Sequence, residues 1–443
     1  MCSIYASTIS SQSSSKINKL LHLRGPDNTN IIQRERFTLM HNLLSMTGAF
    51  RIQPFVQDDV VCLYNGEIYN YQSFGDYKSD GECLIDLYRK HGPAFVRQLD
   101  GEFAIFLCDF KARRIIISSD VFRTKPIFYS IDGNEFGCCT FRTPLEIAGH
   151  KRVTALPPNQ TKVFDLDDLR LLEESPVYNF DLTQYKTNFD DWDRSFKAAI
   201  LKRAAGVREK VFLGLSSGYD SGAICLALLE AGIPFEAYSV LGTESDEVLE
   251  KRFSLIEKSR ISSYLKLRKT WWQHKINHRY VRKNTDPFQY TIRSSSSNYT
   301  ECIPLANDGG SIWLSHVCRQ GRRNGRRIYL SGMGADEIFS DYGYAGRKLC
   351  AHSNFGGLFP DDLKTIFPWI SFYGSSMESY LAKEEYIAGS YGLEARYPFL
   401  DKVVVQEFLN LTATLKNSAY KSVLHHYLTA HHFPFEPEIK RGF

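Results

Sequence analysis

The sequence lacks any apolar run long enough to cross a lipid bilayer, which takes about 20 consecutive apolar residues. Its first residues, MCSIYASTISSQSSSK, lack a basic start followed by an apolar stretch, so no secretory signal is predicted. The net charge of +4 is small for 443 residues and gives no general reason to expect nucleic acid or a membrane as a partner. We therefore expect small-molecule partners.

The ten cysteines include no CxxC pair, the spacing that is typical of structural zinc sites. In a long chain without a secretory signal, cysteines are better interpreted as reduced thiols than as a disulfide framework. We therefore expect no zinc and a reducing compartment, the cytoplasm.

The chain divides into two differently patterned parts, and its length also favours two domains. Up to about Glu174, the β-branched and aromatic runs VVCLYNGEIYN, EFAIFLCDF and RIIISSDVF predict strands. From about Phe189, helical spacing in DDWDRSFKAAILKRAA is followed by short strand-like runs such as VFLGL that alternate with helical segments. This alternation predicts a parallel sheet with crossover helices. We predict an α+β domain over 2–175 and an α/β domain over 190–443, joined by the linker PVYNFDLTQYKTNFD.

A cysteine follows the initiator methionine. A small second residue favours removal of Met1, which would leave Cys2 with a free α-amine whose pKa is near ~8. That amine can act as a local base for the thiol, and the thiolate is the reactive form. By itself, a cysteine at this position carries little weight.

Asn65 and Gly66 follow a strand-like run. A side-chain amide and a backbone N–H at these positions would suit the oxyanion that forms when a nucleophile attacks an amide carbonyl. Downstream, Asp80 offers a carboxylate for an α-amino group. Taken singly, NGE and the GPD of residues 25–27 are better interpreted as ordinary turn sequences.

The order of these segments is more specific than any one of them. The first 150 residues contain, in order, MCSI, LRGPD, YNGEIYNY, SDGECL, LDGEFAIFLCD and FRTKPIFYS. This set resembles the glutaminase domain of class II glutamine amidotransferases, in the asparagine synthetase branch. The resemblance implies an N-terminal-nucleophile αββα sandwich with Cys2 as nucleophile and with Asn65 and Gly66 as oxyanion hole. It also implies glutamine contacts at Asn65, Gly66, Glu67 and Asp80, and leaves a homodimer open.

Two positions depart from the family pattern. Ser3 replaces a usual glycine, and Leu43 replaces the arginine that holds the glutamine carboxylate. Leucine cannot pair with a carboxylate, whereas arginine can do so through two parallel hydrogen bonds. Arg51, further along the same segment, is our candidate for this contact.

The segment LSSGYDS, residues 215–221, lies as a loop between a predicted strand and a predicted helix. Small residues let the backbone approach phosphates, and a helix N-terminus adds N–H donors and a favourable dipole. Asp220 can hold Mg²⁺ beside a pyrophosphate. The alternative is an ordinary helix N-cap made by Ser217 or Asp220.

This segment resembles S-G-G-x-D-S, the pyrophosphate loop of enzymes that cleave ATP to AMP and pyrophosphate, with Ser217 in place of the first glycine. The resemblance implies a parallel-sheet α/β ATP-pyrophosphatase domain. The nucleotide contacts that it implies are Leu215, Ser216, Ser217, Gly218, Asp220, Ser221, Val240, Ser331 and Gly332.

Two later segments fit the same family. SGMGADE, residues 331–337, resembles S-G-E-G-x-D-E and implies that Asp336 is a second magnesium ligand. KRGF resembles K-x-G-F and implies that Lys440 stabilises the charge that develops as an acyl-adenylate forms and collapses. The alternative interpretation of Lys440 is a solvated lysine.

Met333 is the sharpest departure. Asparagine synthetases place a glutamate there and β-lactam synthetases tend to place a tyrosine, whereas methionine cannot exchange protons.

The predicted function is an ATP- and Mg²⁺-using carbon–nitrogen ligase with glutamine as nitrogen donor and aspartate as default carboxylate, acting in asparagine biosynthesis. The alternatives are the same chemistry on a non-aspartate carboxylate and a non-catalytic regulatory homologue.

A basic stretch and a pair of tryptophans are interpreted as ordinary structural features. The basic stretch RQGRRNGRR, residues 319–327, is interpreted as a solvated loop before a buried strand rather than as a nucleic-acid patch. The pair Trp271 and Trp272 is interpreted as packing rather than as a stacking platform.

Overall fold

The computed structural model describes residues 1–10, 13–207, 210–242, 244–293 and 300–437. The chain forms two compact units. The first unit contains Met1–Asn179, Asn284–Pro287 and Gly389–Glu394, and the second contains Phe180–Lys283, Phe288–Ala388 and Ala395–Phe443. No sequence pattern indicated that two short later segments would join the first unit.

The first unit is rich in strands. Its elements, in chain order, are β1 Ser3–Ser7, α1 Ser14–Arg24, β2 Asn28–Arg34, β3 Phe37–Leu43, β4 Phe55–Gln57, β5 Val60–Ile68, α2 Cys83–His91, β6 Gly101–Asp109, β7 Arg114–Ser119, β8 Phe128–Asp132, β9 Glu135–Cys139, α3 Arg142–Ala148, β10 Val153–Ala155, β11 Gln160–Asp165 and β12 Leu171–Pro176.

These strands form two six-stranded sheets, in the orders β10-β8-β9-β1-β3-β2 and β12-β11-β7-β6-β5-β4, and the pairings described are antiparallel. An apolar core lies between the sheets, where Ile4 and Leu39 of the first meet Leu63 of the second. Strand β5 is buried on both faces, because its alternate residues, Cys62 and Tyr64 among them, pack with α2. Helices α1 and α3 pack with the first sheet. The predicted αββα sandwich is therefore confirmed.

After Asn179, the chain continues with a series of helices and strands. The elements, in chain order, are α4 Asp190–Ala204, β13 Val211–Gly214, α5 Tyr219–Glu230, β14 Phe235–Leu241, α6 Asp246–Ser259, β15 Ser263–Arg268, α7 Trp271–Asn284, β16 Gln289–Arg293, β17 Thr300–Pro304, α8 Gly309–Arg323, β18 Ile328–Leu330, α9 Ala335–Phe339, β19 Gly343–Tyr344, β20 Arg347–Lys348, α10 Ile370–Tyr373, α11 Ser376–Ser390, β21 Glu394–Arg396, α12 Lys402–Asn410, α13 Ala413–Lys416 and α14 Ser422–Ala430.

The central sheet of the second unit has the order β15-β14-β13-β18-β21. Strand β13 runs parallel to both β14 and β18, which confirms the predicted parallel sheet. The connection that leaves β13 leads towards β14 on one side, while β18 lies on the other side. Loops diverge at such a point and leave a crevice at the carboxyl ends of the strands, where ligands bind in α/β sheets. The loops after Gly214 and Leu330 both leave at this edge.

Three local expectations need correction. Helix α5 begins at Tyr219, so Asp220 and Ser221 belong to its first turn rather than to the loop. Helix α8 extends to Arg323, so the basic stretch is helical in its first part. Trp271 and Trp272 open α7 and are 58% and 69% exposed, so the packing interpretation is wrong. No helix in the described ranges is long and apolar enough to cross a membrane.

Candidate functional sites

A cavity of about 30 Å³ in the first unit brings the N-terminal cysteine together with several predicted glutamine-binding residues. Its lining includes Cys2, Leu43, Leu44, Arg51, Gly66, Glu67 and Asp80. Asn65 lies beside Gly66 on β5.

The Cys2 thiol is buried at this cavity. Its Sγ accepts a hydrogen bond from the Leu44 N–H at 3.4 Å and lies 3.8 Å from the Leu44 carbonyl oxygen. The buried Arg24 guanidinium donates from Nε to the Cys2 carbonyl oxygen at 3.2 Å and holds this backbone in place. Burial raises the pKa of the Cys2 thiol to about 12 in the chain that carries Met1. The thiol is therefore protonated and weakly nucleophilic in that form.

Asn65 and Gly66 have the features of an incomplete hydrogen-bonding site. The Asn65 side chain is fully buried, and within the described ranges neither its amide nitrogen nor its oxygen has a hydrogen-bond partner. Buried polar groups are otherwise almost always satisfied, so this amide has unused hydrogen-bonding capacity, although Asn65 is not among the residues that line the cavity. Gly66 has φ +143°, and a Cβ there would lie 1.9 Å from the Glu102 carbonyl oxygen, so only glycine fits.

Asp80 is held by a residue that the sequence did not single out. The Tyr64 hydroxyl donates to Asp80 Oδ2 at 2.6 Å, and the Ile68 N–H donates to the same oxygen at 3.0 Å. Burial raises the pKa of Asp80, although both hydrogen bonds oppose the shift. Tyr64 is thus a positioning residue for this carboxyl. Its sequence signal is weak, because a tyrosine within an apolar strand is usually a packing residue.

Arg51 does line the cavity, as the prediction for a carboxylate contact requires. Its side chain is half exposed, and its Nε lies 2.6 Å from Glu82 Oε1. A guanidinium has five N–H donors, so one partner does not exhaust it. Leu43 contributes only apolar surface.

A larger cavity, of about 150 Å³, lies in the second unit at the carboxyl ends of β13 and β18. The predicted residues in its lining are Leu215, Ser216, Asp220, Ser221, Val240, Gly332, Met333 and Asp336. Ser217, Gly218 and Ser331 lie in the adjoining loops. Lys440 lies outside the described residues.

The loop after β13 is shaped by its own hydroxyl groups. Ser216 Oγ and Ser221 Oγ are 2.9 Å apart, and the Gly218 N–H donates to Ser216 Oγ at 3.1 Å. The N-cap of α5 is Gly218, with no side-chain capping bond, so the N-cap alternative for Ser217 or Asp220 is wrong. The Glu244 carboxylate, which the sequence did not single out, accepts from the Ser217 N–H at 2.6 Å. The Glu244 carboxylate therefore already accepts a hydrogen bond from one backbone N–H group of this loop.

A buried arginine holds the loop from the other side. Arg252 donates to the carbonyl oxygens of Ser216 and of Gly218, the latter at 3.0 Å. It also donates from Nε to the Pro434 carbonyl oxygen at 2.9 Å. No motif predicted this role.

Asp220 and Asp336, the predicted magnesium ligands, share a buried lysine. Lys421 Nζ lies 2.7 Å from Asp220 Oδ1 and 2.9 Å from Asp336 Oδ1. Burial disfavours the ammonium charge, but these two ion pairs outweigh it and hold the pKa of Lys421 well above its usual range. The Tyr420 hydroxyl donates to Asp336 Oδ1 at 2.9 Å. Sequence reasoning missed Lys421, whose only signal is a lone cation in the apolar segment AYKSVLHHYL.

Both parts of the chain have matches among known proteins. A family model described as a glutamine amidotransferase domain matches residues 1–145. A putative glutamine-hydrolysing asparagine synthetase of Methanocaldococcus jannaschii is 27% identical over 94% of this chain and 82% of its own length. A probable glutamine-hydrolysing asparagine synthetase of Schizosaccharomyces pombe is 25% identical over 89% of this chain and 72% of its own length.

Two other matches are more limited. The glutamine-hydrolysing asparagine synthetase of Asparagus officinalis is 25% identical over 90% of this chain and 66% of its own length. Among solved structures, an allosteric regulatory enzyme of purine biosynthesis superposes on 60% of this chain and 80% of its own, with 11% identity and a TM-score of 0.34, which is too slight to support an argument.

The glutamine amidotransferase family model thus matches residues 1–145 of the first unit. Over most of its length, the chain is related to the glutamine-hydrolysing asparagine synthetases, so the resemblance predicted from the motifs is confirmed.

Proposed function

We propose that this chain is a glutamine-dependent, ATP-consuming amide synthetase. Glutamine is hydrolysed at Cys2, and a carboxylate is activated by ATP and amidated in the second unit. The observation that carries the proposal is the meeting of Asp220 and Asp336, from two distant motifs, at one lysine in a cavity beside a pyrophosphate-type loop.

In the first half-reaction, Cys2 attacks the side-chain amide of glutamine. Removal of Met1 would free the Cys2 α-amine, which then takes the thiol proton that burial otherwise retains. A carbon–sulfur bond forms, the carbonyl oxygen becomes negative, and Asn65 Nδ2 and the Gly66 N–H stabilise it. The α-ammonium group gives its proton to the leaving nitrogen, and the oxyanion collapses as ammonia departs. Water then hydrolyses the resulting thioester, which gives glutamate and regenerates the Cys2 thiol. Asp80 and Glu67 contact the substrate.

Arg51→Ala is expected to raise the KM for glutamine about tenfold, because one charge-assisted hydrogen bond to the substrate carboxylate is lost. Ammonium-dependent synthesis should not change. Steady-state glutaminase kinetics measure the effect. Arg34→Ala is a matched control, since Arg34 is also partly exposed and pairs with one carboxylate, Asp59, outside the cavity lining. An unchanged KM in Arg51→Ala would place the carboxylate contact elsewhere.

In the second half-reaction, a substrate carboxylate attacks the α-phosphorus of ATP, and pyrophosphate leaves to give an acyl-adenylate. Ser216, Ser221 and the N-terminal N–H groups of α5 donate to the phosphates. Val240 and Leu215 form apolar surface for the base. By resemblance, Lys440 stabilises the charge that develops on the activated group. Ammonia then displaces AMP to form the amide.

The site suits Mg²⁺ by its donor chemistry. Asp220 and Asp336 supply carboxylate oxygens, the ligand type that Mg²⁺ prefers, and they lie close enough to share one cation. When bound, the metal would neutralise phosphate charge. Lys421 keeps the two carboxylates together by countering their mutual repulsion.

Aspartate is the substrate carboxylate that we expect by default. Met333 is the reason to consider a non-aspartate acid as the alternative substrate. Leu43 and Met333 motivate a second alternative, a non-catalytic regulatory homologue. With MgATP, glutamine and aspartate, the purified chain is expected to release pyrophosphate and to form asparagine.

A panel of other carboxylic acids in the same pyrophosphate assay separates the alternatives. Release that depends on another acid, and not on aspartate, would reassign the substrate. Glutamate formation without pyrophosphate release for any acid would overturn the synthetase proposal. If neither product forms, the chain is a non-catalytic homologue.

A further inference from the structure

A second carboxyl group lies in the cavity that Met333 lines. Glu384, on α11, is 6% exposed and belongs to the same lining. Within the described ranges, its Oε2 has no hydrogen-bond partner. A buried carboxylate oxygen is costly to leave unsatisfied, so this atom is available to a donor that enters the cavity.

Glu384 is linked to Met333 by a short chain of hydrogen bonds. The Ser331 Oγ accepts from the Met333 N–H at 3.0 Å, and the Ser331 hydroxyl donates to Glu384. The Tyr329 hydroxyl, on strand β18, which ends directly before Ser331, also donates to Glu384. These two donors orient the carboxyl group, and Met333 lines the same cavity.

The surroundings of Glu384 favour a group that can change its charge. Burial raises its pKa to about 7. The titratable and charged groups that face it are Lys383 and Glu385 on α11, Glu337 on α9, Tyr329 on β18 and Cys318 on α8. A base whose pKa lies near the working pH transfers protons most effectively.

We propose that Glu384 is the catalytic base of the amide-forming step, in place of the carboxyl that Met333 cannot supply. The inference rests on the proposed function. Ammonia attacks the acyl-adenylate carbonyl carbon, a carbon–nitrogen bond forms, and the bond from that carbon to the AMP oxygen breaks. The nitrogen gives up one proton to the Glu384 carboxylate, which later releases it to solvent. The products are the amide, AMP and one proton.

Glu384→Gln tests this role because glutamine keeps the shape and the hydrogen-bond capacity but cannot take the proton. With ATP, ammonium chloride and the carboxylate that the wild-type chain uses, amide formation should fall about 100-fold or more. Carboxylate-dependent ATP–pyrophosphate exchange, which reports adenylation alone, should stay within about threefold of wild type. At a fixed concentration of free NH₃, wild-type amide formation should rise with pH through about 7, and the variant should lose that rise.

Two further variants make the test specific. Glu378→Gln changes an exposed glutamate on the same helix and should behave as wild type. Met333→Glu in the Glu384→Gln background returns a carboxyl to the cavity and should restore at least about tenfold of the lost amide formation.

The outcomes separate the two levels of the proposal. Wild-type chain that shows no exchange with any acid overturns the proposed function itself. Active wild type, with amide formation by Glu384→Gln near the wild-type rate, overturns only the role of Glu384. Loss of exchange together with amide formation would assign Glu384 to packing or substrate binding and would also overturn it as the base.

Discussion

Cys2→Ala is expected to reduce glutamine hydrolysis by at least about 10⁴-fold, because loss of a catalytic nucleophile removes the covalent route entirely. Ammonium-dependent amide formation should remain, since it needs only the second unit's chemistry. Glutamate release with glutamine measures the loss of hydrolysis. Amide formation with ammonium chloride, on the same preparation, measures the activity that remains. The alanine removes a thiol that, among the described residues, hydrogen-bonds to the Leu44 backbone, so little stability is lost.

Cys108→Ala is the matched control for this variant. Cys108 is another buried free thiol in the first unit, on β6, and it does not line the cavity. It should keep the wild-type glutaminase rate. A wild-type rate in Cys2→Ala would mean that another residue is the nucleophile. Equal losses in both variants would point to damaged folding rather than to chemistry.

Asp220→Asn is expected to reduce pyrophosphate release by at least about 100-fold. The change removes a charge that would balance the cation on the phosphates, and asparagine keeps the size of the side chain. Lys421 retains its ion pair with Asp336, so no buried charge is left without a partner. Initial rates at several Mg²⁺ concentrations measure the loss, which excess Mg²⁺ should only partly reverse.

Two controls accompany Asp220→Asn. Glutamine hydrolysis by the same preparation reports the integrity of the first unit and should be unchanged. Asp246→Asn alters an exposed aspartate in the first turn of α6 and should release pyrophosphate at the wild-type rate. Normal release by Asp220→Asn would remove this carboxylate from the nucleotide site.

The parts of the fold that were predictable are those whose signal is local. Strand β13 and helix α5 carry their own apolar patterns, and the short loop between them has a recognisable composition. Asp220 and Asp336 could be expected to meet, because both follow parallel strands and such strands end at one edge of a sheet.

The unpredicted residues act across long stretches of chain. Lys421 and Asp220 are 201 positions apart, and nothing in the local sequence of either residue indicates that the two form an ion pair. Glu244 and Glu384 are acidic residues in helical or loop surroundings, where a solvated side chain is the ordinary expectation. Arg51 lines the cavity that contains Cys2, but its pairing with Glu82 was not predicted, because side-chain pairing depends on the folded path of the intervening turn.

The Arg252 guanidinium has a consequence for how the second unit responds to ligands. One rigid, planar group holds Gly218 in the loop and Pro434 far along the chain, so the positions of the two segments are thermodynamically linked. A ligand that shifts the loop would therefore also act on Pro434 through this group, and any such coupling is reciprocal. The reverse also holds: whatever displaces Pro434 changes the affinity of the loop for its ligand without touching that ligand.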